Sequence, residues 1–353
     1  MRKLIIICLL LTLMGLISCS QNQGSRTPEM TDVTPALDKP EKLKSKVEDP
    51  NIDKVAENTP PIFLELINDN PEEVKAEILK NSEVIKIKNN DGTTLLNVAA
   101  NYNHPEIVKL LIEKGADVNT INNYGMNALH GAAAMGNLEI VKILIENNID
   151  INHADQNNLT PLFFAAGRGH VEVVKLLLEK GADPNINAKD GTSPLLIALD
   201  ENKTEVVPLL VNNGADLNIT DKNGWYPVHI VTNLDRNESA KLMIEKGADL
   251  TVKNSEGLTP LHIAAFRNNV ILINALLEKN PEIIDIKDDK YGYTSLHIAA
   301  AKGNLSAVKA LVEKGADTTI KDKDDKTALE EIKAGKVGNK EVEKYLEKQS
   351  GNK

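Results

Sequence analysis

Aromatic side chains are scarce in this 353-residue chain: one Trp, six Tyr and four Phe, 3% in all. A β-sandwich leans on large aromatics in its core, so this composition argues against one. Cysteine is scarcer still. The only two, Cys8 and Cys19, lie among the first 20 residues. The remainder has no disulfide and no thiol chemistry, and can fold in an oxidising or a reducing compartment. Positive charge is not in excess either. Lys and Arg number 41 against 51 Asp and Glu, a net charge of −10. A surface of that sign repels phosphate backbones, which excludes nucleic acid as the expected partner. The apolar run from Leu4 to Ile17 is 14 residues long, short of the ~20 that a membrane-spanning helix needs. What is plentiful is Leu, Ile, Ala, Asn and Lys, the makings of an aliphatic, helix-forming core.

The first residues read as an address. Arg2 and Lys3 form a basic start, Leu4 to Ile17 an apolar stretch broken by Thr12 and Gly15, and Leu16-Ile17-Ser18-Cys19 ends it. The pattern is that of a secretory signal peptide. Leu16, Ser18 and Cys19 resemble the bacterial lipobox. That resemblance implies cleavage after residue 18, a diacylglyceryl group on the thiol of Cys19 and acylation of the new amine. Several acyl chains would hold the protein on a bilayer where one would not. The expected location is therefore the cell envelope, on the outer membrane or facing the periplasm, with surface exposure as the further case. Residues 19–58 are rich in Pro, Lys, Glu, Asp, Ser and Thr without helical periodicity, which reads as a disordered tether. About 40 such residues span on the order of 35 Å.

Length alone suggests two or three domains, but a repeat overrides length. Gly92, Gly125, Asn158, Gly191, Gly224, Gly257, Gly292 and Asp325 align at steps of 33, 33, 33, 33, 33, 35 and 33. Each unit has a physical reading. Thr160-Pro161, Ser193-Pro194 and Thr259-Pro260 open a helix: the hydroxyl caps free N–H groups, and proline takes a position that needs none. Small pairs follow, such as Ala132-Ala133 and Ala264-Ala265, and let the first helices of adjacent units approach closely. A second helix comes next. Val171, Val174, Leu177 and Leu178 are expected on its buried face, with Glu172, Lys175 and Glu179 opposite. A glycine such as Gly181 stops it in a left-handed conformation, and Ala-Asp leads to the next unit.

Leu261-His262-Ile263-Ala264-Ala265 and Val173-Val174-Lys175-Leu176-Leu177-Leu178-Glu179-Lys180-Gly181-Ala182-Asp183 resemble the ankyrin repeat. The resemblance covers residues 60–348. It implies an all-α repeat solenoid, each unit a helix-turn-helix plus a β-hairpin or loop. About seven full repeats are expected, with an N-terminal and a C-terminal capping unit. The division expected is 1–18 signal peptide, 19–58 lipidated cysteine and tether, and 60–348 repeat domain. At the N-terminal cap, Ile62, Phe63, Leu66 and Ile67, then Val74, Ile78 and Leu79, are expected to face the stack. At the C-terminal cap, Glu330, Glu331 and Lys333 replace apolar residues, and Val342, Tyr345 and Leu346 close the last helix.

Catalytic constellations are missing. His130, His229, His262 and His297 recur at one repeat position, so they stand a repeat apart and do not converge on a metal. In ankyrin repeats this histidine bonds neighbouring backbone. Asp117, Asp183, Asp216, Asp249 and Asp317 follow Gly-Ala and serve turns; general acid–base pairs need two carboxylates in one cleft. No enzyme, cofactor or metal is expected.

The resemblance implies that a protein partner is gripped by hairpin tips and the inner-helix surface. By register this face carries Trp225, Tyr226, Phe266, Arg267, Tyr291 and Tyr293, along with Tyr102 and Tyr124. Trp, Tyr and Arg bury much area with few rotatable bonds. Local departures from the pattern cluster nearby: Tyr226 in place of the capping threonine, Val231-Thr232 in place of Ala-Ala, Pro208 early in a second helix where it would kink it, and two extra residues around Asp285 to Lys290. Local violations often mark function. The expectation is a monomeric, membrane-anchored scaffold binding a bacterial or host protein through Cys19-tethered repeats; the alternative is an inhibitor or immunity-type protein that blocks an envelope enzyme.

Overall fold

The computed structural model describes residues 60–221, 223–335 and 340–350. The leader, Cys19 and the tether to residue 58 lie outside the described residues. Among the described residues, eighteen α-helices pair off in sequence. An opening pair, α1 (Pro61–Ile67) and α2 (Pro71–Lys80), precedes seven full units: α3 (Leu95–Asn101) with α4 (Pro105–Glu113), α5 (Ala128–Met135) with α6 (Leu138–Glu146), α7 (Pro161–Arg168) with α8 (Val171–Glu179), α9 (Pro194–Asp200) with α10 (Val207–Asn212), α11 (Pro227–Asn233) with α12 (Asn237–Glu245), α13 (Pro260–Phe266) with α14 (Val270–Lys279), and α15 (Ser295–Lys302) with α16 (Leu305–Glu313). A closing pair, α17 (Ala328–Gly335) and α18 (Lys340–Ser350), follows. This is the all-α repeat solenoid that the resemblance implies. Among the described residues there are no strands. The hairpins are tight turns held by backbone bonds, such as Asp155 N–H to the carbonyl of Leu159 with Asn158 N–H to that of Asp155, and Asp221 N–H to that of Trp225 with Gly224 N–H to that of Asp221.

The helices begin where side chains cap them. Thr160 accepts from the N–H of Phe163, Ser193 from Leu196 and Thr259 from His262. First helices pack on first helices along the stack, and the alanine pairs between them are fully buried. Burying a Leu side chain contributes about 1.5–3 kcal/mol. No repeat can collect that alone, because its partner surface is the next repeat.

Polar bonds add a second set of ties at the same 33-residue interval. His104 bonds the carbonyl of Leu66, Asn137 that of Ala100, His170 that of Ala134, Arg236 that of Leu199 and Asn304 that of Ala265. Each donor sits just before or at the start of a second helix and satisfies carbonyls near the end of the preceding unit's first helix, which lack intrahelical partners. Asn152 and Asn185 do the same for loops, each reaching from its own turn to the next Gly-Ala-Asp turn, where its amide donates to the glycine carbonyl and accepts from the aspartate N–H.

The structure corrects several details. Val173 is buried beside Val174, Leu177 and Leu178, while Val171 is only partly so. Leu79 is 58% exposed, because Val74 and Ile78 fill the contact with the stack. Glu331 is not a solvent-facing cap residue but is 5% exposed. Pro208 kinks nothing: α10 starts at Val207 and has six residues where its counterparts have nine or ten. The proline thus falls in the first turn, where its missing N–H costs no bond. The two extra residues divide. One enters a 3₁₀ turn over Pro281–Asp285; the other lengthens the following tip, where Asp288 N–H reaches Tyr293 rather than the residue four on.

Candidate partner-binding surface

The first helices present a second apolar surface, distinct from the main core. Leu258, Ile263 and Ile298 form its floor, and Trp225, Phe266 and Tyr293 pack over them. Register explains the grouping. Trp225, Leu258 and Tyr293 each follow a tip glycine, and Ile263 and Ile298 each follow the repeat histidine. Stacking the units therefore lines up one row from the tips and one from the helices, with Phe266 beyond at the end of α13. The three aromatics are half-buried, so their rings rest on the floor while part of each faces solvent.

The remaining residues expected on this face are arranged differently. Tyr291 stacks on Tyr293, ring centroids 5.3 Å apart, and extends the patch at the tip. Arg267 donates through Nε to the amide oxygen of Asn233 at 3.1 Å, beside Phe266. Tyr226 packs against the main core, its ring 5.5 Å from that of His229. Adjacent residues Trp225 and Tyr226 thus serve different surfaces. Tyr102 also packs on the core, and Tyr124 is 39% exposed at an earlier tip. Sequence reading missed the floor residues Ile263 and Ile298, although the recurrence of Ile after the histidine marks them. It also missed Phe163 and Phe164 on α7, which are buried and meet edge-to-face.

Charge borders the patch. The Lys302 ammonium lies over the Phe266 ring, 4.1 Å from its centroid, and that of Lys290 over Tyr291 at 4.9 Å. At the C-terminal edge the apolar row stops at Glu331. Its carboxylate accepts from the Tyr293 hydroxyl at 3.1 Å and from Lys326 at 2.9 Å. Burial, and then this carboxylate, push the Tyr293 phenol well above its ordinary range. Burial also raises Glu256 in the neighbouring tip.

The tips along the patch are also joined differently. Elsewhere one tip bonds the next through backbone: Asn123 N–H to Asp91, Gln156 to Tyr124, Lys189 to Asn157 and Lys323 to Tyr291. Among the described residues, no such bond links the tip of Gly224 to that of Gly257, or Gly257 to Gly292.

The histidines and turn aspartates are committed to structure. His130, His229, His262 and His297 each place Nε2 3.0–3.2 Å from a carbonyl oxygen of the following unit. A carbonyl only accepts, so Nε2 carries the proton. Burial depresses these imidazoles, to about 3 for His130 and about 4 for His229 and His262. Asp117, Asp183, Asp216, Asp249 and Asp317 accept from the N–H two residues on. A further series was not foreseen: Asn89, Asn122, Asp155, Asp221, Asn254 and Asp322 brace the tips by accepting two N–H groups each.

Comparison with known proteins agrees with this architecture. No curated protein matches the chain. A family model described as ankyrin repeats (3 copies) matches residues 55–155, 150–221, 197–284 and 228–322, so that most of the sequence is covered; the chain belongs to the ankyrin-repeat family.

Proposed function

We propose that this protein is a membrane-tethered scaffold that binds another protein through the inner face of its fifth to seventh repeats. The observation that carries the reading is the cluster of Trp225, Phe266 and Tyr293 over Leu258, Ile263 and Ile298. Those aromatics contribute to no part of the main core, and in a chain with so few aromatics their placement on one face is an expense of apolar surface that folding does not require. Half-buried Trp and Tyr are the side chains that dominate binding energy at interfaces. The repeat histidines and turn carboxylates, committed as they are to backbone, support a binding module rather than a catalyst. Lipid attachment at Cys19 supplies the tether, and the molecule acts as a monomer in the cell envelope.

Two measurements test the parts separately. Full-length protein in detergent is used to capture from envelope extract and from host-cell lysate, beside Trp225→Ala. Saturable capture that the variant loses at unchanged melting temperature supports the surface; capture indifferent to Trp225 removes it. Labelled palmitate should enter the wild type and not Cys19→Ser. Equal labelling of both would end the lipoprotein reading.

A further inference from the structure

The seams between repeats are not alike. Every seam but one has an Ala-Ala pair on at least one of its two first helices. Between the fourth and fifth repeats the pair positions hold Ala198-Leu199 and Val231-Thr232. Leu199, Val231 and Thr232 are fully buried, and their bulk stands where other units have only methyl groups. Accordingly α9 and α11 run close together over a shorter stretch of backbone than any other neighbouring first helices. Leu196 occupies the position of the repeat histidine. The imidazole bond that ties the fifth repeat to the sixth, and the sixth to the seventh, therefore has no counterpart at this seam. Behind these helices, α10 has six residues against nine in α8. An open cleft separates its end from that of α12, lined by Val211, Asn212 and Gly214 on one side and Lys246 and Gly247 on the other. Polar ties do cross the seam, among them Arg236 to the carbonyl of Leu199 at 2.9 Å and Asp249 N–H to Asn218 at 3.0 Å. The two seams that follow lack tip-to-tip backbone bonds but keep both an alanine pair and an imidazole tie.

We propose that the stack is built as two cooperative blocks that open at this seam. The first runs from α1 to α10, the second from the tip of Gly224 to α18. Stability in a repeat array is a sum of units and nearest-neighbour seams. A partial opening therefore falls at the weakest seam, and the elements on either side of it respond as units. Trp225, Leu258, Phe266 and Tyr293 all lie in the second block, whose patch-bearing repeats stay joined through His229 and His262. Opening the seam changes the angle between the patch and the first repeats without taking the patch apart. That holds whatever occupies the patch.

The test is hydrogen exchange read by mass spectrometry on the full-length protein and two mild core variants. Ile140→Val lies in α6 of the second repeat and Ile273→Val in α14 of the sixth; both isoleucines are fully buried. Removing one buried methylene weakens a unit without unfolding it, and should speed exchange through that unit roughly two- to tenfold. Circular dichroism first checks that both variants keep the wild-type helix content. Ile140→Val should speed exchange across α3 to α10 and leave α11 to α16 at wild-type rates; Ile273→Val should do the reverse. Equal acceleration on both sides of the seam would show one cooperative stack and overturn the proposal. So would acceleration confined to the substituted repeat, or a boundary at any other seam.

Discussion

The Nε2–H of His262 donates to the carbonyl oxygen of Tyr293 across a repeat boundary, at 3.0 Å. Its Nδ1 meanwhile accepts from the backbone N–H of Thr259 at 3.0 Å. One imidazole thus caps its own helix and holds the next tip, and only the neutral ring can do both.

That requirement sets a pH dependence. The folded pKa of His262 is lowered to about 4 by burial, against about 6.5 in an unfolded chain. Unfolding therefore takes up protons between these values. The stabilisation is complete above about 6.5 and is lost as pH falls toward about 4. His130 and His229 act in the same sense. Asp155, Glu256 and Asp285, raised by burial, act in the opposite one, so the comparison with a variant isolates the imidazole. His262→Leu should cost about 1–3 kcal/mol at pH 7.5, with a shallower loss between pH 6.5 and 4. Urea midpoints across that range measure it; parallel curves for the two proteins would refute the assignment.

Gly257 and Gly181 share a left-handed backbone, φ +78° and +92°, but differ in what surrounds them. A Cβ on Gly257 would stand 2.7 Å from the backbone nitrogen of Asp289, whereas one on Gly181 meets nothing within 4 Å. Gly181→Ala should cost only the conformational strain, roughly 1 kcal/mol. Gly257→Ala should cost about 1–2 kcal/mol more, because two tips must separate. Thermal or urea unfolding ranks them, and equal losses would show that the tips yield freely.

Much of this was legible in the sequence. The period runs through all seven units, and the Thr-Pro caps, the buried alanine pairs and the turn aspartates follow from local rules that recur in several of them, so the units check one another. The inner-face cluster was half legible: Trp225, Phe266 and Tyr293 announce themselves by rarity, but Tyr226 next to Trp225 has the same chemistry and packs on the core. Which way a residue beside a cap turns is decided by the neighbouring repeat, 33 residues away. Glu331 shows the same limit. Its carboxylate reads as a solvent-facing cap, and only the stack places it between Tyr293 and Lys326.

Glu331 and Tyr293 should behave as a coupled pair. Glu331→Leu would continue the apolar row but leave the half-buried Tyr293 hydroxyl without its acceptor, at about 1–3 kcal/mol. Lys326, partly exposed, can return to water. Tyr293→Phe alone should cost about 0.5–1.5 kcal/mol. With both changed, no orphaned group remains, so the double variant should lose at least ~0.5 kcal/mol less than the sum. A double-mutant cycle by chemical denaturation gives the coupling; strict additivity would mean the hydrogen bond contributes nothing.

Pro208 offers a change in the other direction. The helix α10 begins at Val207, three residues later than its counterparts in register, after a turn in which Val206 N–H bonds the carbonyl of Lys203. A helix starting on time would open with Val207 N–H on the carbonyl of Lys203, by register with Val174 on His170; proline at 208 cannot donate the next bond, to the carbonyl of Thr204, and so leaves that first turn unextended. Pro208→Ala restores the donor, and Ala is the strongest helix former. Against this, the substitution loosens the unfolded chain by about 0.4–1 kcal/mol. The net stability change should therefore be within ~1 kcal/mol of zero, while the structural change is local. Hydrogen exchange should show new protection at the amide of residue 208, which has none to measure in the wild type, and slower exchange at Leu209. Unprotected amides at both positions would mean that the late start is imposed by packing against α8 and α12 rather than by the proline.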